Sequence, residues 1–243
     1  MGFTFSHPAL IIPFKYLPRK WYSVTGLIAG SMIPDLEYFI RLSNESFYSH
    51  TFYGLFIFDI PCGILTALIY HQLIKKTLIN NLPHFLKERF SIYEEINWIY
   101  YLKENYIQVI SSILIGSISH VFWDSFTTIT GYFIVLNPLL SSKFEIFNLQ
   151  IPVFIIIKYM SSLIGAFIII KHLKLYRKRE MSNSTPANKY YWVVLIIISL
   201  IIIIVRLLIS LSPISFNPFV KIIISSGLIS LLITSLTFRK SLL

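Results

Sequence analysis

His120 and Asp124 stand four residues apart in Gly116-Ser-Ile-Ser-His-Val-Phe-Trp-Asp-Ser-Phe126, inside an apolar stretch, 106–126, long enough to cross a bilayer. At that spacing two side chains share one face of a helix. An ionisable group at membrane depth costs about 2.5–3.5 kcal/mol on insertion scales, so a pair in one span needs something to offset it. Imidazole nitrogen with carboxylate oxygen is a ligand set for zinc and related divalent ions. An ion held with an open coordination position would lower the pKa of bound water and supply a hydrolytic nucleophile. The rival reading is a pair of polar residues stapling helices, at about 1 kcal/mol for each interhelical hydrogen bond.

The elements that must position this pair follow from composition. The 243 residues are 55% hydrophobic and only 13% charged, which is too apolar for a domain with a wettable surface. Runs of the length that crosses a bilayer fall at 21–40, 52–74, 107–126, 151–170, 192–211 and 219–238. The expected fold is therefore an all-α polytopic helix bundle of about six transmembrane helices, in a multi-pass cell-membrane protein. Pro34-Asp35 interrupts the first run, because proline withholds a backbone donor and restricts the residue before it. No removable leader is expected at the N-terminus, which lacks a basic start, an apolar run and a small-residue cleavage site.

A net charge of +10 would suggest a nucleic-acid partner if it formed a patch on a soluble fold; here it sits between spans. Sixteen lysines and arginines fall in 1–20, 75–106, 171–191 and the tail, against Arg41 and Lys143 in the opposite loops. The positive-inside rule then predicts cytoplasmic N- and C-termini. The domain reading is a membrane domain at 1–170 carrying the His/Asp cluster, a basic cytoplasmic linker at 171–191, flexible over 180–189, and a C-terminal helical hairpin at 192–243. Within 77–106, Ser91-Ile-Tyr-Glu94 has capping-box spacing ahead of Trp98, Tyr100, Tyr101 and Tyr106, which fits an amphipathic helix at the interface; a membrane-hugging connector with no chemistry is the preferred reading of the segment. Cys62, the lone cysteine, reads as a small core residue, and His71, His84 and His172 are given no role.

With the N-terminus inside, Asp35 lies about 21 Å along its span, and His120 and Asp124 lie about 20 and 26 Å along theirs. His50 precedes the inward-running second span at its outer mouth. Asp35, His50, His120 and Asp124 are thus the candidate ligands, gathered at one level near the outer side. Asp59 and Lys158 are each eighth in an inward span and so share a depth of about 10–12 Å. Equal depth permits a buried ion pair, and the rival reading gives Asp59 a ligand role with Lys158 beside it.

His7-Pro8, Gly30-Ser-Met-Ile-Pro-Asp35, Ser49-His50, Phe58-Asp-Ile-Pro-Cys-Gly63, His71 and Ser119-His-Val-Phe-Trp-Asp-Ser-Phe-Thr127 together resemble the bacterial membrane proteins of the domain-of-unknown-function 4184 family, over roughly residues 1–170. More distantly they are similar to the YdjM-type inner-membrane metal-dependent hydrolases and to the zinc phospholipase C and nuclease fold. The resemblance implies a bacterial inner or cytoplasmic membrane location and a metal site, and it would add His7 as a ligand. The topology instead puts His7 on the cytoplasmic side, so either residues 7–17 dip into the membrane, or the first span is a shorter broken element, or His7 lies outside the site as a helix-entry residue before Pro8. Where the family pattern follows Asp-Ser-Phe-Thr with a histidine this chain has Thr128, which removes one ligand from the implied set.

The functional expectation is a metal-dependent hydrolase using a divalent metal, zinc before others, acting on a phosphoester or lipid-linked substrate and with the bilayer as its partner. The alternatives are a transport or ion-binding protein and an assembly factor with a structural metal. A carrier should repeat its broken helices, and neither Pro34-Asp35 nor His120-Asp124 has a second copy.

Overall fold

The computed structural model describes residues 3–41, 46–146, 149–175, 187–209 and 216–239. Helices make up almost all of the regular structure, as expected. One small antiparallel hairpin, β1 Lys143–Ile146 and β2 Leu149–Pro152, was not foreseen. Among the described residues five helices are long and apolar enough to cross a membrane: Phe52–Asn81, Tyr106–Asp124, Val153–Lys174, Lys189–Ile209 and Pro218–Arg239. None of the most apolar window of Lys189–Ile209 is buried, and Ile196, Leu200 and Ile204 along it are exposed. A helix this apolar with so much of its surface exposed belongs in lipid, so the chain is a membrane protein.

The first expected span, 21–40, differs from the rest. It divides into an α-helix at Val24–Met32, a 3-10 turn at Ile33–Asp35 and an α-helix at Leu36–Arg41. Pro34 is the cause: it has no N–H to offer the Gly30 carbonyl one turn back, and its ring crowds that carbonyl. The long Phe52–Asn81 helix likewise widens to a π-turn over Leu55–Asp59, just before Pro61.

The segment 77–106 is also not one amphipathic helix. It holds the shorter helices His84–Phe90 and Trp98–Glu104, and Ser91 opens a 3-10 turn without capping it. Glu94, the expected reciprocal cap, instead accepts a hydrogen bond from the Asn80 side chain at 3.0 Å. Trp98 is buried within the protein. The stretch expected to be a flexible linker lies, from 180 to 186, outside the described residues.

By packing, the chain forms two compact units: Met1–Leu36 with Phe47–Ile64 and Asn105–Leu175, and Glu37–Ser46 with Leu65–Glu104 and Tyr176–Leu243. In the first, Val24–Met32 lies against Tyr106–Asp124 at very short range. A Cβ on Gly30 would stand 2.1 Å from the Ile113 carbonyl oxygen, and one on Gly116 would stand 2.5 Å from that of Leu27. Small residues at four-residue spacing, Gly26 and Gly30 facing Ser112 and Gly116, are what let two backbones approach so closely. In the second unit the last two long helices pack together, with the Tyr191 hydroxyl 3.1 Å from Ser235 Oγ and the Trp192 indole donating to the Asn81 carbonyl at 2.8 Å.

The first unit also takes in the N-terminal residues. Thr4–Tyr16 winds as a 3-10 helix in which Pro8 and Pro13 each withhold a donor. It runs alongside Val153–Lys174 in the same direction. Phe3 N–H donates to Ser162 Oγ at 3.1 Å, the Ser6 Cβ fills the space a side chain at Gly165 would need, and Lys15 Nζ lies 3.5 Å from His172 Nδ1. Residues 3–16 are therefore a packed part of the unit and not a tail.

Candidate metal centre

The backbone break at Pro34 and the close helix pair together build the site. Gly30, whose carbonyl Pro34 cannot serve, accepts the Ser117 hydroxyl from the facing helix at 3.2 Å. One residue on, the Ser31 carbonyl accepts His120 Nδ1–H at 2.8 Å. A carbonyl can only accept, so His120 carries a proton on Nδ1 and turns Nε2 toward Asp35 and Asp124. The Nε2 atom lies 3.5 Å from Asp35 Oδ1 and 3.8 Å from Asp124 Oδ2.

His50 arrives from the turn ahead of the Phe52–Asn81 helix. Thr51 caps that helix by accepting the Gly54 N–H at 2.9 Å, and the Tyr48 carbonyl folds so close over Gly54 that a Cβ there would lie 1.7 Å from it. This tight turn delivers His50 Nε2 to 3.9 Å from Asp35 Oδ1 and 3.7 Å from Asp124 Oδ2. Ser49 Oγ sits 3.0 Å from the other ring nitrogen. The ligand atoms of Asp35, His50, His120 and Asp124 all lie within 4.8 Å of one another. All four expected residues are thus brought together.

His7, which the topology argument set on the opposite side, is here as well. The packed course of Thr4–Tyr16 carries its ring onto that of His120, centroids 4.0 Å apart and 16° from parallel, with Nε2 3.5 Å from Asp124 Oδ1. His7 Nδ1–H donates to the Thr4 carbonyl at 3.2 Å, so Nε2 is the ring nitrogen turned toward Asp124. Asp59 and Lys158 stand outside this group. Asp59 is fully buried on its own helix; Lys158 is half-buried, with its ammonium 5.4 Å from the Tyr159 ring and within the field of Asp124.

The donor set fits a divalent cation. Asp35 Oδ1, His120 Nε2 and His7 Nε2 are buried and make no hydrogen bond among the described residues, while the remaining atom of each group is occupied. Thr4 Oγ1 donates to Asp35 Oδ2 at 2.5 Å, and Thr127 Oγ1 donates to Asp124 Oδ1 at 3.2 Å. Outer hydrogen bonds of this kind fix ring tautomers and turn carboxylate oxygens inward around a metal. Ligand atoms of a tetrahedral zinc at bond lengths of about 2.0–2.1 Å stand about 3.4 Å apart, and the His–Asp separations of 3.5–3.9 Å are only slightly wider. A hydrogen-bonded staple would instead close these gaps to about 2.7–2.9 Å.

Asp35 and His120 are wholly buried, whereas the His50 side chain is 21% exposed. The site is therefore reached past His50.

Thr4, Ser31, Ser49 and Thr127 escaped sequence reasoning. Thr127 and Ser49 sit inside the motifs that carry the ligands, and the four-residue rhythm Ser112, Gly116, His120, Asp124 marks the helix face that meets Ser31. Nothing in the sequence around Thr4 distinguishes it, since its role depends on the turn that follows.

The model of a family described as Domain of unknown function (DUF4184) matches residues 1–236. No curated protein and no solved structure matches the chain.

Proposed function

The chain belongs to the DUF4184 family, and we propose that it is a metal-dependent hydrolase of the bacterial inner membrane, acting on a phosphoester or a lipid-linked substrate. One observation carries this reading: four ligand atoms from three segments of chain, each oriented by a second hydrogen bond or hydroxyl contact, converge within 4.8 Å. Asp35, His50, His120 and Asp124 would hold the ion, which we take to be zinc. Structural zinc sites are closed and usually rich in cysteine, and this set has imidazole and carboxylate alone. A divalent ion there supplies Lewis acidity toward water and toward a phosphoryl oxygen.

The chain's own residues fill the other roles. His7, with its proton held on Nδ1 by Thr4, presents Nε2 as a proton acceptor beside Asp124 and serves as general base or as a fifth ligand. Lys158, in the field of Asp124, offers the positive charge an anionic ester requires. His50, at the exposed edge, is the group a substrate meets first.

The test is hydrolysis of bis(p-nitrophenyl) phosphate and of a phospholipid by the purified protein. The reading expects turnover that a chelator abolishes, that added zinc restores and that His120→Ala lacks. Metal bound without turnover on either substrate would contradict the enzyme and leave a structural ion.

A further inference from the structure

A cavity of about 540 Å³ lies in the second unit, none of the His/Asp cluster lines it, and its wall is cationic. Lys75, Lys76, Lys103 and Arg239 line it against one carboxylate, Glu94. Its size is that of a small-ligand site. We propose that this cavity binds an anionic phosphate group, and specifically one at the level of membrane headgroups.

Three features point there. The cations come from the ends of apolar elements: Lys75 and Lys76 close the apolar part of Phe52–Asn81, Lys103 ends the Trp98–Glu104 helix, and Arg239 is the last residue of Pro218–Arg239. Charges at such ends stand where the hydrocarbon gives way to headgroups.

Ordinary snorkelling would spread these side chains into water. Lys75 does the opposite, being only 3% exposed, with its ammonium donating to the Ile96 carbonyl at 2.8 Å. A cation held inward at the wall of a cavity calls for an anion inside it. Glu94 offsets one of the four cations, which leaves a cationic excess. Ile96 and Ile99 add apolar surface to the same wall, as the glycerol and upper acyl carbons of a lipid would need.

The experiment uses the full-length protein in neutral detergent and measures lipid retention by native mass spectrometry and stabilisation by thermal unfolding. Phosphatidylglycerol, phosphatidylcholine and inorganic phosphate are added separately. The test variant is Lys76→Gln with Lys103→Gln, both exposed, and the control is Lys171→Gln with Lys174→Gln, also exposed. The expected result is retention of phosphatidylglycerol over phosphatidylcholine, weakened on the order of tenfold or more in the test variant and unchanged in the control. Stabilisation by phosphatidylglycerol alone assigns the phosphate to a lipid headgroup. Stabilisation by inorganic phosphate that the test variant loses assigns it to a free phosphate. Equal retention of the two lipids with no phosphate effect, or equal losses in test and control variants, would overturn the site.

Discussion

Thr4 serves two neighbours at once: its hydroxyl holds Asp35 Oδ2 and its carbonyl holds His7 Nδ1–H. Each bond turns the other atom of its partner toward the cluster. Removing such an orienting group typically weakens a metal site about 10–100-fold without dismantling it. Thr4→Val should therefore lower zinc affinity by that factor in a competition titration with a chromophoric chelator, and Thr4→Ser should keep most of it. Equal affinity in Thr4→Val and the parent would remove Thr4 from the site. The ligands themselves were legible because charged groups in apolar runs are conspicuous and because helical periodicity sets His120 and Asp124 on one face. Thr4 was not, since a threonine near a chain end is ordinary until the backbone turn that uses both its polar atoms is known. His7 stayed undecided for a related reason: counting basic residues assigns a side to Lys15, Arg19 and Lys20, not to a packed segment that precedes them.

The Pro34 break and the glycine contact work as one device. The proline leaves the Gly30 carbonyl open to Ser117, and the missing side chains at Gly30 and Gly116 bring His120 within reach of Ser31. Gly116→Val should lose both thermal stability and bound metal, because its new carbons would meet backbone rather than flexible side chains; overpacking of this kind costs about 1–3 kcal/mol or more. Gly227→Ala is the matched control, with nothing within 4 Å of the added carbon and a helix-propensity gain of up to about 1 kcal/mol. Thermal unfolding that moved equally in the two variants would argue against close packing as the positioning device. The sequence showed that the first span was interrupted, since proline is an unambiguous helix breaker. It did not show that the interruption feeds the site, because that depends on which helix faces the break. The β1–β2 hairpin and the N-terminal 3-10 helix were missed because neither shows a period that stands out from its apolar surroundings.

Composition alone identified a membrane protein, and five long apolar helices bear that out. Sidedness is a separate proposal resting on sixteen loop cations against two. In a Cys62→Ala background, Lys143→Cys should react with an impermeant thiol reagent from outside the cell, and Lys174→Cys only after permeabilisation; both positions are exposed. The reverse pattern would turn the His/Asp cluster toward the cytoplasm. Above sidedness stands the cluster's occupant, on which every functional statement depends. The most direct measurement is metal content by inductively coupled plasma mass spectrometry on the whole protein, purified without a histidine tag, beside His120→Ala and Asp124→Ala. The expected result is about one divalent ion per chain, lost in both variants while each remains monodisperse and helical. A parent protein that binds no divalent ion when zinc is supplied, or variants that keep the parent's full complement, would contradict the metal centre.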